Sequence, residues 1–405
     1  MPLKLLHTSD WHLGKRLHKL ERLPEQLLFL DWLVETLKQQ NIDHLLIAGD
    51  VFDVPQPPHK ALRAFYDFLG RVTRETSATV WVVAGNHDAG NLLEAPEALW
   101  DRGRVRVWGG IRENPQDHWV QLPFPGQRHH LDLCVLPYFR HHELGPWREI
   151  YGGEVVAQDW PEQMVRAFLA NPPKHPQAVG KIFMGHHLFG LFEAAGSEQA
   201  LALSGLDSIP LDWLASFDYA ALGHIHKPQT LRAAKPQVWY CGSPIAMRFS
   251  ETAPKRVNLL TWESDSTFQC QALAVPVWRE LVSLVATGED WQEQLRSVAR
   301  TSEGQLAPAI EIELHLPAPV PGLLEQIRAE AQALGVEDLT LLPTFAPAAE
   351  EDRGQDWTTL LRLGPLELFE SFYRAKYPEE PAVPADLLAD LKALMEEARR
   401  APPST

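Results

Sequence analysis

Apolar residues in the N-terminal half of the chain follow two alternating rhythms. The runs Leu3–Thr8, His44–Ala48 and Ala78–Ala84 are short and nearly continuous in apolar or β-branched residues, as expected of strands covered on both faces. Between the first two, Leu27, Leu30, Leu33, Val34 and Leu37 repeat at helical spacing, predicting a helix from Pro24 to about Gln40 with the proline in its first turn. Leu62, Phe65, Phe68, Leu69 and Val72 mark a second helix in the same way. Strand, helix, strand, helix, strand predicts parallel strands with right-handed crossovers, so the strand ends share one rim. Lys181–Met184 and Tyr219–Leu222 read as two more such strands. The stretch Arg112–Asp159 between, rich in Pro, His and Trp, reads as hairpins and loops without assigned chemistry. Strand-like runs at Gln237–Cys241, Arg256–Trp262 and Phe268–Leu273 close a first α/β domain over residues 1–276.

Beyond Pro276 the rhythm changes. Ile310, Ile312, Leu314 and Leu316 alternate with Glu311, Glu313 and His315, which predicts a strand buried on one face only. With helices at Trp291–Val298 and Leu323–Leu334 and a strand at Leu339–Leu342, residues 277–346 form a small α+β domain. Residues 347–405 begin with a linker, Pro347–Gly354, followed by two short helical patterns. The first carries Leu366, Phe369, Phe372 and Tyr373, and the second Leu387, Leu388, Leu391, Leu394 and Met395. Helices this short are marginal alone in water, so the pair is expected to dock, either on its own chain or around a partner helix.

Polar residues concentrate where the parallel strands end, which is where open α/β sheets bind ligands. Asp10-Trp-His12 follows the first run, Gly49-Asp50 the second and Gly85-Asn86-His87-Asp88 the third. Gly185-His186-His187 and Gly223-His224-Ile225-His226 follow the two later ones. In an extended segment Asp10 and His12 would face one side. Gly85 lets the chain turn; Asn86 offers a neutral oxygen, His87 a proton donor, and Asp88 a carboxylate able to orient that imidazole. Asp10, His12, Asp50, Asn86, His186, His224 and His226 make an all-oxygen and imidazole donor set, enough for two divalent cations sharing a bridging carboxylate. Such donors favour Mn, Fe, Mg or Zn, and the imidazoles disfavour Mg alone.

Composition sets limits on this picture. The 405 residues are 45% hydrophobic and 22% charged, a globular balance, and no apolar run approaches a membrane span. The chain is therefore expected to be cytoplasmic, without a membrane partner. Three scattered cysteines, Cys134, Cys241 and Cys270, give neither a disulfide framework nor a zinc knuckle. Cys241, though close to the motifs in sequence, is expected to be a buried structural thiol. A net charge of -16 argues against a protein that grips nucleic acid over its whole surface, but not against a local site. The loop Lys15-Arg16-Leu17-His18-Lys19 is either a solvated surface loop or a place where Lys15, Arg16 and Lys19 steer phosphates.

In their order, D-x-H, G-D, G-N-H-D, G-H and G-H-x-H, these motifs resemble those of the calcineurin-like metallophosphoesterases, over roughly the first 275 residues. Within that superfamily His7–Gly14, Ala48–Asp53, Ala221–His226 and Tyr240–Ile245 are similar to the bacterial SbcD family of nuclease subunits. The resemblance implies a metallophosphoesterase sandwich followed by a small α+β domain and C-terminal helices. It implies Asp10, His12 and His226 on one metal, Asn86, His186 and His224 on a second, and Asp50 bridging both, with Mn2+ the expected metal. His87 would stabilise the transition state or protonate the leaving oxygen. Asp53 stands where archaeal and eukaryotic relatives carry a second active-site histidine. The implied activity is 3′-to-5′ exonuclease on double-stranded DNA ends and endonuclease on hairpins, for a nucleoid-associated enzyme of recombination and repair. The implied partners are an SbcC-type ATPase, its coiled coil held by Leu366, Phe369, Phe372, Leu387 and Leu391, and a second copy of the chain within a heterotetramer. Two rival readings are a phosphodiesterase for cyclic or nucleoside phosphates and a scaffold that has lost catalysis; the complete donor set counts against the second.

Overall fold

The computed structural model describes residues 1–96, 103–151, 160–173, 175–190, 209–231, 237–299, 305–336, 338–345, 365–377, 383–384, 387–389 and 391. Its first strands are β1 (Leu3–Thr8), β2 (Arg16–Leu17), β3 (Leu20–Glu21), β4 (His44–Ala48), β5 (Thr79–Val83) and β6 (Val105–Trp108). They are followed by β7 (Trp119–Pro123), β8 (His130–Leu136), β9 (Ala178–Gly185), β10 (Tyr219–Leu222), β11 (Gln229–Leu231) and β12 (Gln237–Tyr240). Finally come β13 (Arg256–Trp262), β14 (Phe268–Ala274), β15 (Leu281–Thr287), β16 (Ala309–Leu316) and β17 (Asp338–Phe345).

Two six-stranded sheets result, ordered β14-β13-β1-β4-β5-β6 and β11-β12-β10-β9-β8-β7. In the first, β1, β4, β5 and β6 are parallel, with β13 antiparallel to β1. In the second, β8, β9, β10 and β12 are parallel, flanked by antiparallel β7 and β11. The sheets pack face to face because every parallel strand is apolar on both sides. Leu3, Leu5, Leu46 and Val83 of one meet Leu131, Leu133, Met184 and Tyr219 of the other in a common core. The outer face of the first sheet is covered by α1 (Leu23–Gln40) and α2 (His59–Glu75), and that of the second by helices Gly145–Tyr151 and Trp160–Ala170.

Two local expectations are corrected. The apolar stripe predicts Leu27 on the buried face of α1, yet it is 43% exposed. The helix turns its Gln26 inward instead, where the amide donates to the Trp11 and His12 carbonyls and accepts from Gly14 N–H, and this rotates position 27 outward. The stretch Lys15–Lys19 is not a plain loop but the turn of the β2–β3 hairpin, and the Lys15 ammonium is held by the Asp53 carboxylate at 2.8 Å.

The small sheet, β15-β16-β17, is covered by helices Trp291–Val298 and Leu323–Ala333 around Ile310, Ile312, Leu314, Leu295 and Ile327. Residues Met1–Thr344 form one compact unit. Within it the buried Glu25 carboxylate pairs with Arg22, and Arg279 lies 3.6 Å away, so the small sheet is tied to the first turn of α1. The second unit, Phe345–Thr405, contains the helix Pro365–Lys376. Leu366, Phe369 and Leu391 are half-buried there, and Phe372 and Leu387 are exposed. The predicted linker, Leu394 and Met395 lie outside the described residues. Among the described residues no helix is long and apolar enough to cross a membrane.

Two core histidines set an acid limit on stability. His44 accepts from Trp81 Nε1 at 3.1 Å, His118 donates Nδ1 to the Val135 carbonyl at 2.6 Å, and burial pushes each down to about 4. The unfolded chain protonates both below pH 6.5, whereas the folded one resists until about 4, so the stability they confer is full above 6.5 and is lost as pH falls toward 4. Each should cost about 2 kcal/mol at pH 5. In denaturant titrations the loss of stability between pH 7 and 5 should flatten by about one proton in His44→Gln; an unchanged slope would show that His44 is not held neutral.

Candidate metal centre

The parallel strands end on one rim, and there the backbone leaves regular geometry. Asp10, His12, Asp50 and His224 all have φ between 46° and 89°, left-handed conformations that cost non-glycine residues about 1 kcal/mol or more each. The Asp10-x-His12 segment is therefore not extended as expected. Asp10 N–H donates to Gly49 O and His12 N–H to Asp50 O, both at 3.0 Å, which folds this loop over the end of β4 and turns both side chains inward. Gly85 is required for close approach: a Cβ there would occupy the space of the Asp50 carboxylate and amide.

Asp50 is the focus. Its side chain is 3% exposed; Oδ1 accepts from the His87 N–H at 2.9 Å, and Oδ2 lies 3.5 Å from His12 Nε2 and 3.3 Å from His186 Nε2. On the His12 side the His226 Nε2 comes within 3.0 Å of His12 Nε2. On the other, Asn86 Oδ1 lies 3.2 Å from His186 Nε2 and 2.8 Å from His224 Nδ1. Asp10 lies by both: its donor atoms group with those of His12 and His226, and with those of Asp50 and His186, each set within 4.8 Å. Its carboxylate also accepts from Ser9 Oγ and, at 2.9 Å, from the His224 N–H.

Three imidazoles are aimed from behind. His186 donates Nδ1 to the Ala48 carbonyl at 2.7 Å, His12 Nδ1 faces Asp53 at 3.3 Å, and His226 Nδ1 faces Glu251 at 3.3 Å. In each case Nε2 is left pointing at the centre, the arrangement by which outer acceptors orient metal-binding histidines. His187 turns away, with Nε2 3.1 Å from the Pro137 carbonyl and its ring stacked on Tyr138.

Charge follows this geometry. Burial opposes ionisation of Asp50, but His186 and His12 outweigh it and hold the carboxyl well below its usual range. His186 is raised to about 9 although burial acts the other way, because Asp50 and then Asp10 favour its cation. His224 is lowered to about 3 by burial and by its neighbour His186. Burial likewise opposes ionisation of Asp53 and Glu251, yet each is pulled down to about 2, by His12 with Lys15 and by His226 with Lys255. A pocket with two inward carboxylates, converging imidazole nitrogens and a carboxamide oxygen thus calls for concentrated positive charge, and its donors suit hard or borderline divalent ions.

The role expected for Asp88 is corrected. It does not touch the His87 ring; its carboxylate accepts from the backbone N–H groups of Gly85, Val51 and Phe52 at 2.8 to 3.1 Å and so clamps two strand ends together. His87 instead donates Nδ1 to the Asp53 carbonyl at 2.7 Å, its ring edge-on to His12 with centroids 4.8 Å apart. Glu251 belongs to no motif, and nothing in the sequence singles it out. Cys241 is fully buried beneath Ser9, and burial raises its thiol.

A family model for calcineurin-like phosphoesterases matches residues 3–228, more than half the chain. The chain belongs to the calcineurin-like phosphoesterase family. Family membership implies bound divalent metal, and the donor groups described above are candidates to hold it. A second model, described as the type 5 capsule protein repressor C-terminal domain, matches residues 277–377. Among curated relatives, the D subunit of the SbcCD nuclease of Escherichia coli K12 is 27% identical over 385 residues, covering 91% of this chain and 92% of that one. Proteins with the same description from Bacillus subtilis (31%, covering 62% and 63%) and Rhodobacter capsulatus (32%, covering 62% and 64%) are also similar.

Glu251 provides a test of the outer support. Replacing it by Ala should weaken Mn2+ binding by roughly 10- to 100-fold, as loss of an orienting carboxylate does elsewhere. Calorimetric titration that finds wild-type affinity in Glu251→Ala would remove His226 from the centre.

Proposed function

We propose that this chain is a dimetal-dependent DNA phosphodiesterase, the nuclease subunit of an SbcCD-type complex. The observation that carries the reading is the buried Asp50 carboxylate set between two donor groups. In this reading Asp10, His12 and His226 hold one ion, Asn86, His186 and His224 the other, and Asp50 both; Mn2+ is the proposed metal. When bound, the two cations supply charge neutralisation for the phosphodiester and an activated water. The chain's own residues then have separate tasks. Asp53 and Glu251 keep the His12 and His226 rings aimed. His87, with Nδ1 committed to the Asp53 carbonyl, exchanges a proton through Nε2 and assists the departing oxygen. Gly85 and the Asp88 clamp fix the loop that carries Asn86 and His87.

The relatives' description extends the reading to DNA ends and hairpins as substrates and to an SbcC-type ATPase as partner. Arg16 and Lys19, at the exposed β2–β3 hairpin, steer the phosphates, with Lys15 contributing charge from its pair with Asp53. Leu366, Phe369, Phe372, Leu387 and Leu391 clasp the ATPase coiled coil, and the assembly pairs two copies of this chain.

Mn2+-dependent cleavage of an end-labelled DNA hairpin tests the proposal. Wild type should cut, and His87→Ala should lose about 10²- to 10⁴-fold in turnover while binding Mn2+ as before. Metal loss in that variant would make His87 a ligand rather than a proton donor. Hydrolysis of bis-p-nitrophenyl phosphate without DNA cleavage, with or without the ATPase, would move the substrate to a small phosphodiester.

A further inference from the structure

A second constellation lies at the opposite end of the second sheet. His130 and Asp132 stand two residues apart on β8 and share one face, while His175 comes from the turn that leads into β9. His175 Nδ1 lies 2.8 Å and His130 Nε2 3.3 Å from the same oxygen of Asp132, and the three donor atoms fall within 4.8 Å of one another. These are close to the ~3.4 Å separations of ligands around a tetrahedral ion with ~2.1 Å bonds.

Two features show that the cluster is incomplete as a hydrogen-bonded unit. Asp132 is 1% exposed, yet its second oxygen has no hydrogen-bond partner, and His130 Nε2, also buried, has none of adequate geometry. A buried carboxylate with an idle oxygen is costly unless its charge is met. The cluster also opens on a cavity of about 430 Å³, lined among others by Gln121, Arg128, His129 and Gln177. Gln121 sits opposite Asp132 across the β7–β8 ladder. Three converging donors with one open side fit a divalent ion that keeps a fourth position for water or another ligand.

We propose that His130, Asp132 and His175 bind a further divalent transition-metal ion, with zinc the best match to a His2Asp donor set. The site is separate from the rim. The parallel strands end there at Leu136 and Gly185, whereas His130 begins β8, six residue steps or ~20 Å away. The ion would pin the tip of the β7–β8 hairpin to the turn before β9, where the register is irregular between His130 and Leu131.

The test uses the full chain, stripped with EDTA, reloaded with zinc chloride, desalted and counted for metal per chain. Wild type should hold one zinc more than His175→Gln or Asp132→Asn. That difference holds whatever the rim binds, so failure here is distinguishable from failure of the proposed nuclease centre. Both variants should keep Mn2+-dependent phosphodiesterase activity and a folded circular dichroism spectrum, with the zinc-induced rise in Tm lost. Co2+ loaded into wild type should give the intense visible band of a tetrahedral site, a readout needing no variant. Equal zinc counts, or no tetrahedral band in wild type, would overturn the proposal and leave the triad as a proton-sharing network.

Discussion

One buried carboxylate governs the rim. Asp50 sits in left-handed backbone at the end of an apolar strand, and its charge must be met by groups that the two sheets carry to it separately. The first sheet brings Asp10, His12 and the Asn86-His87 turn; the second brings His186, His224 and His226. Neither sheet alone surrounds Asp50, so the common core of Leu3, Leu46, Leu131 and Met184 is a condition for the site as well as for the fold. The strained loops persist because packing and backbone hydrogen bonds over-determine them.

A graded arrangement surrounds this carboxylate. Donor atoms face the centre, and behind them stand Asp53, Glu251 and the Ala48 carbonyl, each fixing the far nitrogen of one imidazole. Behind those, Lys15 and Lys255 pair with the outer carboxylates at 2.8 and 2.6 Å. Positive and negative charge thus alternate outward from the rim, which keeps Asp53 and Glu251 ionised despite burial. His87 differs from the other rings in being tied to a backbone carbonyl rather than to a carboxylate.

Much of this was legible in the sequence because strand-end motifs are local. The strand and helix order, the small one-faced strand and the residues that converge on Asp50 could be read from periodicity and short spacing. What could not be read depends on partners distant in sequence. Glu251 reaches His226 from 25 positions away without a motif, and Asp88 looked like the orienter of His87 because adjacency suggested it, whereas three backbone amides claim its oxygens. Leu27 misled for a similar reason: its spacing fits the apolar stripe, but Gln26 has a stronger claim on the interior through three hydrogen bonds. Strand β15, beneath a region with little alternation, gave no signal of its own.

The first turn of α1 joins two levels of the molecule through adjacent residues. Glu25 receives Arg279 from the small sheet, while Gln26 grips the Trp11 and His12 carbonyls at the rim. No flexible spacer intervenes between these two grips. A torque applied to the small sheet is therefore transmitted to the backbone that positions His12, so the leverage of any load it carries ends on a residue of the reacting centre.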